Sequence, residues 1–228
     1  MSDRTTPDVD RDEVVRAVLP HVAFEGWSGK AVSAGLADLD LPEEAAQLAF
    51  PGGVSELIGH WSAMLDRQMT EALVTAVDEM VTLSPVERVA RAIRVRLDAC
   101  RWHREAVRRA ISYLALPPSP PAAVRMTYET VNAIWYAAGD RSTDFSYYTR
   151  RASLAAVYAA TVMFWLDDES EEQQATWAFL DRRLHDIGTL LRFRRRMTDS
   201  LSRLTRSPRF RSPPEPVGET AAATPDPS

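Results

Sequence analysis

Few residues in the sequence have the types and spacing that catalysis requires. The four histidines form neither an H-x-x-H nor an H-E-x-x-H pattern, and the chain has no E-x-x-H motif, P-loop, G-x-G-x-x-G or G-x-S-x-G segment. Glu56 and His60 are four positions apart and could share a metal, although a satisfied polar pair is the commoner arrangement. Lys30 lies in a polar segment with no sign of burial, which disfavours a Schiff-base role. We therefore predict that the protein is not an enzyme and binds neither a cofactor nor a metal.

An acidic run lies just before the last predicted helix: Asp167, Asp168, Glu169, Glu171 and Glu172. Such a run could form a metal cage, but acidic side chains also complement the partial positive charge at a helix N-terminus. We interpret the run as part of the start of the last helix, which we expect Ser170 to cap.

Length and composition indicate a globular protein. The chain has 228 residues, of which 45% are hydrophobic and 26% charged, with a mean hydropathy of −0.25. The longest apolar-rich stretch, 152–166, is shorter than the ~20 residues of a bilayer span and predicts a core helix surrounded by protein. The lone Cys100 fits a reducing compartment, and the polar, acidic start resembles neither a secretory signal nor a transit peptide. We expect a cytoplasmic location.

Apolar residues recur at spacings of three and four through nearly the whole chain, and no stretch alternates with period two. The fold is therefore predicted to be all-α. We expect one long helix from 54 to 82 and a helix capped by a box of Ser84 and Glu87, with Pro85 at its first position. The predicted regions are a disordered N-terminus (1–10), an N-terminal helical region (11–82), a larger helical domain (83–170), a C-terminal helix (171–206) and a disordered tail (207–228).

Helix 152–166 mixes alanines with bulky side chains. This mixture either allows close helix packing or leaves a cavity for an apolar ligand, and packing alone is the commoner outcome. If a cavity exists, the large side chains expected around it are Trp135, Tyr158, Met163, Phe164 and Trp165.

The C-terminal helix combines an apolar stripe with an Arg-rich surface. Residues 182–211 carry ten arginines against Asp186 and Asp199, a net charge of +8 on a chain whose total is −5. This pattern is typical of a helix lying in a membrane interface, and a terminal helix docked on the protein body is the alternative. The candidate membrane-binding residues are Trp177, Leu184, Ile187, Leu191, Phe193, Arg194 and Arg195. We expect deletion of 176–228 to abolish membrane association and to leave the N-terminal body folded.

Short helices at 28–50 followed by a long helix resemble the helix-turn-helix layout of TetR-type repressors. Phosphate contact requires basic residues, whereas segment 25–53 holds Lys30 against five acidic residues. A TetR-type regulator that binds a hydrophobic effector is therefore the alternative function, and we expect no nucleic-acid partner.

Several stretches resemble the Coq-nine family of ubiquinone biosynthesis proteins over about residues 12–190. They are HVAFEGWS (21–28), FPGGVSELIGHWS (50–62), HREAVRRAISYLALP (103–117), AIWYAAGDRSTDFSYYTRRASLAAVYAATVMFWLDDES (133–170) and TWAFLDRRLHDI (176–187). The resemblance implies a TetR-like fold without transcriptional regulation, an isoprenoid lipid or quinone intermediate bound in the 83–170 domain, and membrane contact through the C-terminal helix. We expect a homodimer that is peripheral on the inner face of a bacterial inner membrane.

The resemblance further implies presentation of the quinone intermediate to a demethoxyubiquinone hydroxylase. The family's contact motif is D-F-x-W-Y-T-[KR]-R, which here reads DFSYYTRR from Asp144 to Arg151. The expected partner-binding residues are Asp144, Tyr147, Tyr148 and Arg151. Tyr147 stands where the family usually has Trp, and it keeps an aromatic side chain at this position.

Overall fold

The computed structural model describes residues 9–117, 119–139 and 146–186, with side chains from residue 149 onward in the last range. These residues form α-helices and two short 3-10 turns, and no strand occurs among them, as the sequence predicts. The helices are α1 (Arg11–Glu25), α2 (Gly29–Asp38), α3 (Glu44–Ala49), α4 (Gly53–Thr75), α5 (Val77–Thr82), α6 (Pro85–Ala99), α7 (Arg104–Leu114), α8 (Pro120–Ala137), α9 (Ser146–Leu166) and α10 (174–186). The predicted tail at 207–228 lies outside the described residues.

The first two helices cross closely because of one glycine. The Ser28 hydroxyl accepts a hydrogen bond from Ala31 N–H and starts α2, as expected from the sequence. Where α2 crosses α1, a Cβ on Gly35 would lie 2.6 Å from Val18 Cγ2 and 2.8 Å from Val18 Cα. Any larger residue at 35 would therefore push the two helices apart. The buried valines of α1, including Val18, anchor this pair in the core.

The long helix expected at 54–82 is divided into two. The chain leaves helical geometry at Ala76, and α5 begins at the next residue. Beyond the break, Val77 is exposed and Met80 is buried. No glycine or proline marks this position, and the prediction of a single helix is wrong here.

The start of α6 matches the sequence prediction. Ser84 Oγ accepts a hydrogen bond from Glu87 N–H, and Ser84 N–H donates to the Glu87 carboxylate at 2.7 Å. Below this cap, the residues of α6 that face the core include Val89, Ile93 and Leu97.

Within the residues that the structure describes, helix α9 is not covered by protein on all sides. One face is buried: Leu154, Val157, Tyr158, Thr161, Val162 and Trp165. Another face is exposed in the described part of the molecule: Ala152, Ala156, Ala159, Ala160, Met163 and Phe164. The expectation of all-round burial is wrong because most of the exposed apolar residues are alanines, whose single methyl group costs little in contact with water.

Helix α10 packs on the body of the protein. Leu180 and Leu184 enter the same hydrophobic core as the residues of α1 to α9. Asp181 forms an ion pair with Arg94 of α6 at 2.7 Å. The described part of the C-terminal helix therefore contributes to the core, and a deletion that begins at residue 176 would remove two core side chains.

Candidate functional site

A cavity of about 480 Å³ lies between α4, α6, α7, α8 and α9. This volume falls in the range of small-molecule sites. The wall is mainly aliphatic, with residues from all five helices: Ile58, Trp61, Ser62, Leu65, Arg96, Val107, Ala110, Ile111, Leu114, Ala115, Pro120, Ala123, Val124, Met126, Thr127, Thr130, Tyr158, Ala159, Val162 and Met163. Such a wall favours an apolar ligand, because apolar surface leaves water on binding.

The rim of the cavity is also apolar. Ile111, Val124 and Met163 line the cavity and expose 37%, 71% and 52% of their surface. These three side chains come from α7, α8 and α9, so the cavity opens where the three helices meet. Large apolar side chains at an opening are typical of a site that receives an apolar ligand or contacts a membrane or protein surface.

The opposite, buried part of the cavity wall is polar. The Arg96 guanidinium is 5% exposed and donates from Nε to Asp66 Oδ1 at 2.6 Å. Its Nη1 donates to the Tyr158 hydroxyl, and its Nη2 donates to Ser62 Oγ at 2.8 Å and to Thr130 Oγ1 at 3.2 Å. Thr130 in turn donates to Asp66 Oδ2 at 3.0 Å. The group is one connected hydrogen-bond network around a buried ion pair.

The pKa values of Tyr158 and Arg96 are both raised in this network. Burial raises the pKa of the Tyr158 hydroxyl to about 12, although the Arg96 charge opposes the rise. Burial also lowers the pKa of Arg96, but Tyr158 and Asp66 outweigh burial and the pKa is raised overall. At neutral pH the network therefore contains a charged guanidinium and a neutral phenol.

Two of the five candidate lipid-binding residues line the cavity. Tyr158 and Met163 do so, one at the polar end and one at the rim. Trp135 is half-buried and packs against the core, Phe164 stacks on Phe179 at 4.7 Å between ring centroids, and Trp165 is fully buried under Arg104. None of these three lines the cavity, because their side chains leave the helices on other faces.

Sequence reasoning missed most of the wall and all of the polar end except Tyr158. A signal for Arg96 was present, since it lies three residues after Ile93 on the buried stripe of α6. A charged residue at a core position of an amphipathic helix indicates a buried partner or a site. The partners Asp66, Ser62 and Thr130 come from α4 and α8, which no local pattern connects to α6.

Among the candidate partner-binding residues, Arg151 is buried rather than exposed. It lies in the second turn of α9 and its Nε donates to Asn132 Oδ1 of α8. The expectation that this side chain is exposed at a loop-to-helix junction is therefore wrong for the described structure. Asp144 and the side chains of Tyr147 and Tyr148 lie outside the described residues.

Of the candidate membrane-binding residues, Trp177 and Leu184 are described. Trp177 is half-buried, with Arg94 5.7 Å from its ring centroid, and its indole N–H donates to the Glu172 carbonyl. Leu184 is buried in the core and is not available to a membrane in this conformation. The other candidates lie outside the described residues: Ile187, Leu191, Phe193, Arg194 and Arg195. No helix within the described ranges has the length and hydropathy to cross a bilayer.

Glu56 and His60 each bind other residues instead of sharing a site. Glu56 pairs with Arg11 at 2.6 Å, and His60 lies 2.6 Å from Asp12. The described residues contain no cluster of three metal-binding side chains.

Comparison with known proteins places this chain among relatives with one shared name. The COQ9 family model matches residues 120–190. The chain is 34% identical to ubiquinone biosynthesis protein COQ9-A, mitochondrial, of Xenopus laevis, over 79% of this chain and 58% of that protein. It is also 34% identical to human COQ9 over 76% of this chain and 56% of that protein, and 30% identical to the Drosophila melanogaster protein over 78% and 55%. The chain thus spans a little over half the length of these relatives.

A solved structure shares the fold. A protein described as a TetR transcriptional regulator from Nitrosomonas europaea superposes with a TM-score of 0.63 and 27% identity, over 78% of this chain and 97% of that one. The predicted TetR-like, all-α fold is confirmed. The match to the COQ9 family model and the 34% identity over more than three quarters of this chain show that the chain belongs to the COQ9 family of ubiquinone biosynthesis proteins.

Proposed function

We propose that this chain is a non-catalytic accessory protein of ubiquinone biosynthesis that holds an isoprenoid quinone intermediate in the α4–α9 cavity. The protein would present this intermediate to a demethoxyubiquinone hydroxylase at the inner face of a bacterial inner membrane. The names of its relatives support the pathway. The observation that carries ligand binding is the apolar cavity with its apolar rim.

Half of the cavity wall lies in the segment that matches the COQ9 family model. Ten of its twenty lining residues, from Pro120 to Met163, fall within the matched segment 120–190. Each 100 Å² of apolar ligand surface removed from water contributes about 2.5 kcal/mol. A prenyl chain that fills the cavity would therefore remain bound through purification.

The chemistry of the cavity supports an accessory role. Its polar groups hydrogen bond to one another, and the pKa of Tyr158 is too high for proton transfer near neutral pH. The ion pair of Arg96 with Asp66 satisfies both charges inside the protein. None of these groups is poised as a general acid, general base or nucleophile.

Partner contact and membrane contact complete the proposal. Tyr147 and Tyr148 provide aromatic groups of the type that dominates protein interfaces, and Asp144 is a charged residue of the same motif. Arg151 is buried, so we do not assign it to the contact. The Arg-rich segment after residue 186 would bind anionic headgroups. We propose that the protein acts as a homodimer.

Two variants test ligand binding and partner contact together. Ala123→Trp places an indole in the cavity wall, and Ala72→Trp, at an exposed position of α4 away from the cavity, is its matched control. Native mass spectrometry with lipid extraction measures the bound lipid, and quinone analysis of cells that depend on each variant measures function. The Ala123→Trp protein should lose the lipid, whereas the Tyr147→Lys protein should keep it. Cells that depend on either variant should accumulate demethoxyubiquinone.

Loss of lipid from the Ala72→Trp control as well would show that the effect is not located in the cavity. A wild-type protein that carries no apolar ligand would overturn the binding proposal. Normal ubiquinone in the Tyr147→Lys strain would overturn the partner contact.

A TetR-type regulator remains the second candidate, because the matched Nitrosomonas protein carries that description. The charge of the N-terminal helices opposes it. Lys30 is the one basic residue of segment 25–53, and its ammonium lies 4.0 Å from the Glu25 carboxylate. A gel shift on fragments of the source genome separates the two functions, since a specific shift would favour the regulator.

A further inference from the structure

A second cleft, of about 450 Å³, lies between the 3-10 turn that precedes α7 and the corner that joins α9 to α10. It shares no lining residue with the α4–α9 cavity. Its wall is polar and aromatic, formed by Arg101, Trp102, Arg104, Asp168, Glu169, Ser170 and Gln173. The hydrogen-bonding groups of this wall determine what the cleft can hold.

Two arginines supply donors to the cleft. The Arg104 guanidinium lies over the Trp165 ring, 4.7 Å from its centroid, and Nη1 donates to the Asp168 carbonyl at 2.8 Å. These contacts fix the position of the group, and its remaining N–H groups have no protein acceptor within the described ranges. The Arg101 guanidinium lies 4.4 Å from the centroid of the Trp102 ring. It forms no hydrogen bond or ion pair with another described residue.

The Gln173 amide adds a donor whose orientation is fixed by Trp165. An indole N–H can only donate, so the Gln173 atom that lies 3.0 Å from it is the amide oxygen, Oε1. The amide NH₂ group therefore remains for another partner. Ser170 is similar, because its oxygen accepts from Ala175 N–H at 3.0 Å and its O–H remains as a donor. Neither group donates to a protein atom in the part of the chain that the structure describes.

The backbone at this corner is strained. Glu172 and Gln173 have φ angles of 48° and 58°, in the left-handed region that residues other than glycine rarely occupy. Such residues are found most often at binding and active sites, where the surrounding structure maintains them. Here the strained segment brings the Gln173 side chain to Trp165 and to the wall of the cleft.

The two carboxylates of the wall differ in how far they are satisfied. Asp168 accepts hydrogen bonds from two backbone N–H groups and from the Thr176 hydroxyl. Glu169 is exposed and has no ion-pair partner among the described residues. Asp98 does not line the cleft and interacts with Arg101 only at long range. Two guanidiniums, an amide NH₂ and a hydroxyl thus outnumber one unsatisfied carboxylate, and this excess of donors favours an anion with several acceptor oxygens.

We propose that this cleft binds a phosphate group through Arg101, Arg104 and Gln173. The planar fork of a guanidinium matches phosphate oxygens, and one phosphate has enough oxygens for both arginines and the amide. A carboxylate has two oxygens and would leave more of these donors unpaired. Trp102, with 81% of its surface exposed, offers an apolar surface to the group that carries the phosphate. Because this cleft is separate from the lipid cavity, phosphate binding does not depend on the proposed function.

Calorimetric titration of the full-length protein at pH 7.5 and constant ionic strength tests the proposal. The probes are inorganic phosphate, glycerol 3-phosphate, and dihexanoyl phosphatidic acid below its micellar concentration, with acetate as the carboxylate control. We expect saturable binding of phosphate probes and weaker binding of acetate. Equal affinity for glycerol 3-phosphate and the lipid would identify a free phosphate ester as a sufficient ligand. A preference for the lipid that is lost in Arg101→Gln would identify a lipid headgroup as the source of the phosphate.

Arg101→Gln should lower phosphate affinity about tenfold, which corresponds to the loss of one charge-assisted hydrogen bond. It should keep the fold, because Arg101 is exposed and forms no hydrogen bond to the described residues. Arg125→Gln is the matched control, since Arg125 is an exposed arginine of α8 that does not line the cleft. The control should bind phosphate as the unmodified protein does.

Two further variants change the wall without removing an arginine. Gln173→Glu keeps an acceptor for the Trp165 indole and replaces the NH₂ donor with an oxygen that repels phosphate, so it should abolish binding. Glu169→Gln removes the unsatisfied carboxylate and should raise phosphate affinity about threefold.

Absence of saturable binding by every phosphate probe would overturn the proposal. Binding that both Arg101→Gln and Gln173→Glu leave unchanged would place the phosphate elsewhere on the chain and would equally overturn it. Tighter binding of acetate than of inorganic phosphate would refute the choice of ligand.

Discussion

Arg96 is the residue on which the polar end of the cavity depends. Its side chain and that of Asp66 are only 7% and 13% exposed, so this ion pair is screened little by solvent. Removal of one member of a buried pair leaves the other charge without compensation. Surface pairs contribute far less, because water already solvates both groups.

We predict that Arg96→Met lowers the free energy of unfolding by about 3–5 kcal/mol. Arg67→Met is the control, since Arg67 pairs with Asp12 at 2.7 Å on the surface and its loss should cost under about 1 kcal/mol. The double variant Arg96→Met with Asp66→Leu should recover part of the loss, because no buried charge remains. Urea denaturation measures all three. A cost for Arg96→Met as small as that for Arg67→Met would contradict a buried role for the pair.

The corner between α9 and α10 is built around a single carboxylate. Asp168 is buried and accepts hydrogen bonds from Ser170 N–H and Thr176 N–H, both at 2.8 Å, and from the Thr176 hydroxyl. Burial raises the pKa of Asp168, but the hydrogen bonds from Ser170 and Thr176 outweigh it and lower the pKa to about 2. The carboxylate thus fixes the start of α10.

This depressed pKa predicts a pH dependence of stability. A carboxyl whose pKa is lower in the folded state stabilises the fold above its unfolded pKa, and this stability is lost as pH falls toward the folded value of about 2. Asp168→Asn should therefore cost about 2 kcal/mol at pH 7. The difference from wild type should narrow as pH falls below about 4.

Urea denaturation across this pH range measures the effect. Asp167→Asn is the control at the neighbouring position, where the carboxylate is mostly exposed and pairs with Arg108 on the surface. A difference between Asp168→Asn and wild type that stays constant with pH would show that the carboxylate charge does not carry the stability.

Local patterns in the sequence predicted the helices. Contacts between helices that are distant in the sequence determine which faces are buried and where the cavity forms, and local patterns do not show these contacts. The Ser84–Glu87 box was predictable because all of its atoms lie within one turn. The break at Ala76 was not, because no glycine, proline or capping box in the sequence marks it. Composition identified α9 as apolar, but exposure of its alanine face depends on which helices cover it. The cavity is formed by five helices. Tyr158 and Met163 were predicted because both lie on the apolar helix α9. Arg96 and Asp66 were not, because they meet only where α4 and α6 pack together.

At the scale of the whole molecule, the apolar opening and the basic segment each support the membrane contact proposed above. Ile111, Val124 and Met163 expose apolar groups at the mouth of the cavity. Residues 190–228 carry eight arginines, all between 192 and 211, with Asp199 as the one acid among them. An anionic membrane would attract this segment by about 1 kcal/mol for each arginine near the surface.

Because α10 has buried residues, a truncation that tests membrane binding has to end after α10. A deletion of 176–228 removes Leu180 and Leu184 from the core and should destabilise the body, whereas the compact unit Met1–Thr189 retains both. We predict that a chain ending at Thr189 keeps the thermal stability of the full chain and no longer floats with vesicles containing phosphatidylglycerol. The full chain should float with these vesicles, bind less in high salt and not float with pure phosphatidylcholine.

A charge-only variant, with glutamine at 192, 194, 195 and 196, should float less than the full chain. Equal flotation of the full chain and the Thr189 truncation would locate membrane binding in the body, at the apolar rim of the cavity.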